Sequence, residues 1–228
     1  MSTTQNNLCI IPARGGSKRI PRKNIKDFLG KPIIAYSIEA ALSSGLFSEV
    51  MVSTDDEEIA EVAKKYGAKV PFYRSEKTSD DFATLSDVVE EVKGFYLKQG
   101  RKFDNICCAL ATAPFINRQL INKVFVEMKE KDFDSIRPII QFSYPPQRGV
   151  KMKEGKISFF YPDFTSTRSQ DLEPVYYDAG MFYWMKFETG LQGINKGGFE
   201  ISELEAHDID TLEDWKIAEI KFKLLKNA

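Results

Sequence analysis

Short, fully apolar runs alternate with helical stripes through the first 140 residues of this 228-residue chain, a rhythm that few folds accept. Leu8 to Ile11 reads as a brief β-branched strand buried on both faces. Pro32 to Leu42 reads as a helix, with Ile33, Ile34, Ile38 and Ala41 on one stripe and Gly45 beyond its end. Val50 to Val52 is a second strand. Thr54-Asp55-Asp56-Glu57 then reads as a capping box, opening a helix with Ile59, Val62, Ala63 and Tyr66 inward and Gly67 at its close. Residues 84–97 form another helix, Ile106 to Leu110 a strand, Leu120 to Met128 a striped helix, and Ser135 to Ile140 a further strand. Each strand needs a crossover helix to reach a parallel neighbour. The alternation therefore predicts a doubly wound α/β domain on a mostly parallel sheet covered on both sides.

From Gln141 to Tyr177 the rhythm breaks into short alternating stretches punctuated by Pro145-Pro146, Gly149, Gly155, Pro162 and Pro174. Some thirty residues of this kind do not build their own core. They predict a small β-rich insertion, residues 141–177, acting as a lid or a dimer contact, within an α/β domain of residues 1–140 and 178–228. Gly180 to Met185 should return as a strand, and residues 211–225 as an amphipathic helix with Leu212, Trp215, Ile217 and Ile220 inward.

Composition narrows the function. Thirty-two basic residues against thirty-three acidic ones leave a net charge of −1, so no global field favours nucleic acid or a membrane surface. No apolar run approaches the ~18–20 residues of a membrane span. Met1 to Asn7 lacks the basic start and apolar centre of a signal peptide, and a cytoplasmic protein is expected. Cys9, Cys107 and Cys108 sit inside strand-like runs, with the neighbours Cys107 and Cys108 pointing to opposite faces. A disulfide framework is not expected. With His207 the only histidine, neither is a zinc site or a Ser-His-Asp triad.

Directly after the first strand comes Pro12-Ala13-Arg14-Gly15-Gly16-Ser17-Lys18-Arg19-Ile20-Pro21-Arg22-Lys23-Asn24. Six basic side chains and no acidic one lie between Arg14 and Lys26. In an α/β sheet, ligands bind outside the carboxyl ends of the strands. Paired glycines there let backbone amides approach an anion, Ser17 adds a hydroxyl, and Arg14, Lys18 and Lys23 supply charge for a polyphosphate. The spacing does not match a Walker A loop, and Ile20-Pro21 stands where a dinucleotide fingerprint needs its third glycine. A solvated basic loop or a nucleic-acid contact is the competing reading, but no second basic stripe with interleaved aromatics supports the latter.

The words Ile11-Pro12-Ala13-Arg14-Gly15-Gly16-Ser17-Lys18 and Pro21-x-Lys23-Asn24-Ile25 resemble the acylneuraminate cytidylyltransferases, the CMP-sialic acid synthetases. Three further blocks follow in the same order: Arg74 to Thr84 as Arg-x₆-Asp-x-Ala-Thr, Thr112-Ala113-Pro114-Phe115, and Asp208-Ile209-Asp210-Thr211. Arg19 stands where that family usually has glycine, Leu110-Ala111 where it has a glutamine-proline pair, and Asp178-Ala179-Gly180 where the sialic acid branch has Asn-Gly-Ala. These departures look most like the pseudaminic acid cytidylyltransferase branch.

The resemblance implies a Rossmann-like nucleotidyltransferase that joins CTP to the anomeric hydroxyl of a nine-carbon 2-keto sugar acid and releases pyrophosphate with the help of Mg²⁺. N-acetylneuraminic, legionaminic or keto-deoxy octulosonic acid are alternative acceptors, and a nucleotide-binding protein without turnover is the alternative of another class. CTP would be held by Ala13, Arg14, Gly15, Gly16, Ser17, Lys23, Asn24, Arg74, Thr84 and Ala111, with Lys18 stabilising charge that develops at the α-phosphate or leaving group. For Arg74, a surface ion pair with Asp80 or Asp81 is the other reading. Asp208 and Asp210, two apart, present both carboxylates to one side of an extended segment and would be catalytic as Mg²⁺ ligands. Spacing alone leaves open that Asp210 or Thr211 merely caps the last helix. The sugar acid would meet Arg148, Arg168 and Asp178, with Arg168 able to serve the neighbouring subunit of a homodimer.

Overall fold

The computed structural model describes residues 6–226. The first strand, β1 (Asn7–Pro12), is fully buried over most of its length and is followed by the cationic loop and a short hairpin, β2 (Asp27–Phe28) with β3 (Lys31–Pro32). Next come α1 (Ile33–Ser44), β4 (Phe47–Ser53), α2 (Glu57–Lys65), the single turn α3 (Glu76–Ser79) and α4 (Leu85–Lys98). The chain continues with β5 (Asn105–Ala109), α5 (Arg118–Glu130) and β6 (Ser135–Gln141). A hairpin of β7 (Val150–Lys153) and β8 (Lys156–Phe159) precedes β9 (Tyr176–Asp178), β10 (Phe182–Lys186), β11 (Lys196–Glu200) and α6 (Leu212–Lys226).

The sheet order is β11-β6-β10-β5-β1-β4, with β9 also pairing β6. Strands β4, β1, β5, β6 and β11 share one direction, while β10 runs against β5 and β6 and β9 against β6. The pleat sorts the side chains onto two cores. Cys9, Ile11 and Cys107 face α1, α2 and α5, while Leu8, Ile10 and Cys108 face α4. Helices thus cover both faces of a mostly parallel sheet, the doubly wound α/β arrangement that the alternation predicts. The largest buried side chain is Trp184, stacked on Phe47 at 5.1 Å between ring centres, tilted against Phe125, and donating its indole N–H to Ile121 O at 3.2 Å.

Several local expectations change. The N-cap of α2 is Asp56, whose carboxylate accepts from Ile59 N at 3.0 Å, so the helix begins at Glu57, two residues later than a Thr54 cap requires. Thr54 instead accepts from Asp56 N. On α6 only Trp215 and Ala218 are buried, and Leu212 and Ile220 are exposed, so the expected inward stripe is rotated away. Strand β11, an edge partner of β6 over Lys196–Glu200, has too little apolar character to be read from the sequence. Within the 141–177 stretch, β9 pairs antiparallel with β6 from Tyr176 onward, whereas every residue of β7 and β8 is exposed.

Candidate active site

The site grows out of the carboxyl end of β1. Ala13 extends the β1–β4 ladder by one bond, its N–H donating to Ser53 O at 2.9 Å, and is itself buried. The chain then leaves the sheet and returns as a closed loop, because Asn24 Nδ2 donates to Arg14 O at 2.8 Å and ties the far end to the start. Gly15 N donates to Asp55 Oδ1 at 2.9 Å. Gly15 is required by close approach: a Cβ there would lie 2.7 Å from Asp56 Oδ2. Gly16 has open space around it.

Five of the six cations are sorted among acids from three other parts of the chain. Lys18 pairs with Asp81, and Arg14 reaches Asp81 at 2.9 Å and Asp80 O at 2.6 Å. Arg22 is held by Asp56 and Glu58. Arg19 meets Asp210 at 2.8 Å, and Lys23 donates to Ile209 O at 2.7 Å with its ammonium 3.6 Å from Asp210. Lys26 lies over the Trp215 ring. The carboxylate of Asp81 is drawn below the usual Asp range chiefly by the Lys18 bond.

A cavity of about 480 Å³ opens beneath this loop. Of the residues predicted to hold nucleotide, Arg14, Ser17, Lys18, Lys23, Asn24, Arg74, Thr84 and Ala111 line it, whereas Ala13, Gly15 and Gly16 do not. Arg74 is no surface residue. It is buried, donating to Ser53 O at 2.7 Å, Ser53 Oγ at 3.2 Å and Thr78 O at 3.3 Å, so the alternative ion pair with Asp80 or Asp81 does not form. Burial lowers its affinity for the proton, but a guanidinium keeps its charge, and a fixed cation remains in the cavity wall. Thr84 caps α4 in a full capping box with Asp87, its hydroxyl donating to Asp87 Oδ2 at 2.7 Å and accepting from Asp87 N at 3.2 Å. Its hydroxyl proton is therefore committed to the helix.

Asp208 and Asp210 lie on the extended stretch that enters α6. The cap of that helix belongs to Thr211: Asp214 N donates to Thr211 Oγ1 at 3.2 Å, and Asp214 Oδ2 accepts from Thr211 N at 2.7 Å and from Asp210 N at 3.0 Å. The Asp210 carboxylate is consequently left to the loop cations. The Asp208 carboxyl titrates above the usual Asp range, because it is desolvated and because Asp210 repels its charge, with Lys23 opposing. Asp208 lines a neighbouring hollow of about 440 Å³ with Asp178 and His207. Gly180, at φ +63°, takes a left-handed turn beside Asp208 that favours glycine. His207 is half-buried, its nearest acid being Asp214 at 3.9 Å, and burial holds its pKa below the ordinary value, which favours the neutral ring.

The sugar-site expectations fare differently. Arg148 donates to Ser169 Oγ at 3.1 Å, and Arg168 forms a fork with Asp171. Both lie in the exposed excursion and neither lines the cavity or the hollow. Asp178 lines the hollow, but it already accepts from Arg137 at 2.9 Å and from Gly180 N at 2.9 Å. Arg137 in turn lies over the Tyr183 ring. Asp55, Asp56, Asp81 and Arg137 are the side chains that the sequence reading did not select. The only signal for the first three was that they fall in paired aspartates, Asp55-Asp56 between β4 and α2 and Asp80-Asp81 between α3 and α4.

A cationic loop at the strand ends of a doubly wound sheet is an architecture shared with proteins that handle nucleotides. The solved structure of CMP:2-keto-3-deoxy-manno-octonic acid synthetase complexed with CTP has this fold, with a TM-score of 0.70 and 19% identity, covering 98% of this chain and 100% of that one. The profile of the family described as Cytidylyltransferase matches residues 8–176, and the chain belongs to that family. It is 44% identical over 225 residues to the pseudaminic acid cytidylyltransferase of Campylobacter jejuni subsp. jejuni serotype O:2, covering 96% of this chain and 97% of the relative. It is 32% identical to the CMP-N,N'-diacetyllegionaminic acid synthase of Legionella pneumophila over 236 residues, covering 97% and 98%. The resemblance carried by the four sequence blocks is thereby borne out.

Proposed function

We propose that the chain transfers CMP from CTP to the anomeric hydroxyl of a nine-carbon 2-keto sugar acid, pseudaminic acid first among them, releasing pyrophosphate with Mg²⁺ as the activating ion. The observation that carries this reading is the contact between the cationic loop and the segment before α6, where Arg19 and Lys23 meet Asp210 and Ile209 O, with Asp208 lining the neighbouring hollow. The choice of sugar rests on the extent of identity with the Campylobacter relative named for pseudaminic acid.

The donor set suits a magnesium ion. Asp208 is desolvated and repelled by Asp210, a pair of hard oxygen donors whose strain a divalent cation relieves. Among the described residues no group of three or more His, Cys, Asp or Glu side chains could hold a metal, so substrate oxygens and water would have to complete the shell. Asp208 and Asp210 would hold it, and when bound it neutralises charge on the phosphate oxygens.

The chain's own groups then divide the work of phosphoryl transfer, which is chiefly alignment and charge neutralisation. Arg14 and Lys18 exchange the Asp81 carboxylate for phosphate oxygens, and Lys18, whose side chain is 78% exposed, is free to follow charge onto the leaving group. Ser17 and the Gly16 amide approach the anion, with the Gly15 amide held by Asp55, while Asn24 keeps the loop closed and Lys23 keeps it against Ile209 O. Arg74 supplies a buried positive charge below the ribose and base, beside the Thr84 helix end and Ala111. The sugar's carboxylate would be met by Arg148 or Arg168 from a second subunit of a homodimer, whose contact includes the exposed Met152 and Ile157 of the hairpin. Asp178 would accept from a sugar hydroxyl or amide. Dependence on CTP fits a cytoplasmic reaction.

The test is pyrophosphate release from CTP and Mg²⁺ with a panel of keto sugar acids, with and without chelator. Release with pseudaminic acid that chelation abolishes is expected. Release only with another acid reassigns the substrate, and none with any acid overturns the enzymatic reading. Light scattering at micromolar concentration checks the dimer, and a monomeric mass refutes it.

A further inference from the structure

The loop's cations differ in how they are held, and the difference singles out Arg22. Arg14, Lys18, Arg19 and Lys23 line the cavity, and the carboxylates that hold them, Asp81 and Asp210, each stand about two-fifths exposed to solvent. Such solvated carboxylates, each shared between two cations, exchange readily for another anion. Arg22 does not line the cavity. Its guanidinium forms a fork on Asp56, with bonds of 2.5 and 2.8 Å, and also meets Glu58. Its backbone is left-handed at φ 55°, a conformation a non-glycine residue adopts when something holds it there. The bond to Arg22 drives the Asp56 carboxyl down to about 2.

Asp56 is also the group with the least freedom to leave. It caps α2 through Ile59 N, and its Oδ2 lies against Gly15 so closely that no side chain fits between them. Its neighbour Asp55 accepts the Gly15 amide. The near end of the loop at Gly15 and the far end at Arg22 are therefore fastened to the same helix start.

We infer that the Arg22–Asp56 pair is a positioning device, pinning the far end of the cationic loop to the N-terminus of α2, where Asp55 holds the near end, and so keeping the Gly15–Asn24 backbone in shape for a triphosphate, while Arg22 itself touches no phosphate. The inference rests on the proposed function for its ligand, and on the loop geometry alone for the pinning.

Charge and positioning predict opposite signs for one substitution. Asp56→Asn keeps a good helix cap and removes a negative charge beside an anion site. Were Arg22 a phosphate contact, freeing it would leave CTP binding unchanged or tighter. As a positioning pair, Asp56→Asn and Arg22→Ala each weaken CTP binding by roughly tenfold, the range seen when a supporting partner is lost, and the double variant is no weaker than either single one. Calorimetric titration of CTP into the full chain, with Mg²⁺ present, measures this. In the chain without nucleotide, hydrogen exchange of the Gly15–Asn24 amides should quicken in both variants, while that of the sheet strands stays unchanged.

Tighter or unaltered CTP binding by Asp56→Asn overturns the inference, and so does unaltered exchange across the loop. Should the unsubstituted chain fail to bind CTP at all, the proposed function falls. The exchange measurement still decides whether the pair pins the loop.

Discussion

Replacing Asp210 by asparagine separates two roles that coincide in the sequence. In the structure the α6 cap is carried by Thr211 and Asp214, so Asp210→Asn leaves that helix start intact. What it removes is the ion pair with Arg19, between side chains 66% and 41% exposed, and the weaker approach of Lys23. Exposed pairs of this kind contribute ~0.5 kcal/mol at most, and part of that is offset as the repulsion on Asp208 disappears. Thr211→Ala does the converse: losing an N-cap costs ~1 kcal/mol, a fall of ~2–4 °C in Tm for a chain of this size. The expected crossover is an Asp210→Asn protein with near-native Tm whose pyrophosphate release drops by ~100-fold or more. Beside it stands a Thr211→Ala protein that melts earlier yet keeps most of its turnover. Differential scanning fluorimetry and a coupled pyrophosphate assay on the same preparations measure both. Native turnover in Asp210→Asn refutes the metal assignment, and an Asp210→Asn melt as low as that of Thr211→Ala refutes the division of roles.

Lys18→Ala should fold normally, since its side chain is mostly in solvent, and should lower kcat by ~10²–10³. A change confined to KM would make Lys18 a binding residue only. Asp208 titrates above the ordinary Asp range, so the native state takes up its proton at a higher pH than the unfolded chain does, and its charge weighs against folding once pH rises through that window. Without metal or nucleotide, Asp208→Asn should therefore raise Tm at pH 7 and leave it unchanged near pH 3. A lower Tm at pH 7 contradicts the desolvation and repulsion described. Trp184→Ala should cost ~3–5 kcal/mol through the cavity between Phe47 and Phe125, read as a fall in the urea midpoint. A loss below ~1 kcal/mol would mean the core collapses around the gap.

Much of the fold was legible because the signals that specify it are local. The apolar runs at Leu8–Ile11 and Ile106–Leu110 and the stripe from Leu120 to Met128 became β1, β5 and α5 almost unchanged. The site was legible to the extent that its charges cluster in sequence: Arg14, Lys18 and Lys23 do line one cavity. Local signals fail where a residue's meaning depends on what stands across from it. Arg74 looks like a surface partner for Asp80, yet it is buried on Ser53, and Arg148 and Arg168 stay in the excursion with Ser169 and Asp171. The antiparallel entry of β10 between β5 and β6 was equally hidden, because an apolar run carries no mark of its direction.

From its sequence alone the chain determined where the backbone pleats and coils, since side-chain periodicity acts over a few residues, and that a concentrated positive charge follows the first strand. Only the tertiary structure decided how that charge is shared out. Arg19 and Asp210 meet across 191 residues of sequence, and Arg22 meets Asp56 across 34. Which acid faces which base follows from how helices and loops pack onto the sheet, and packing is set by burial of apolar surface everywhere at once, not by the spacing of the charged residues themselves.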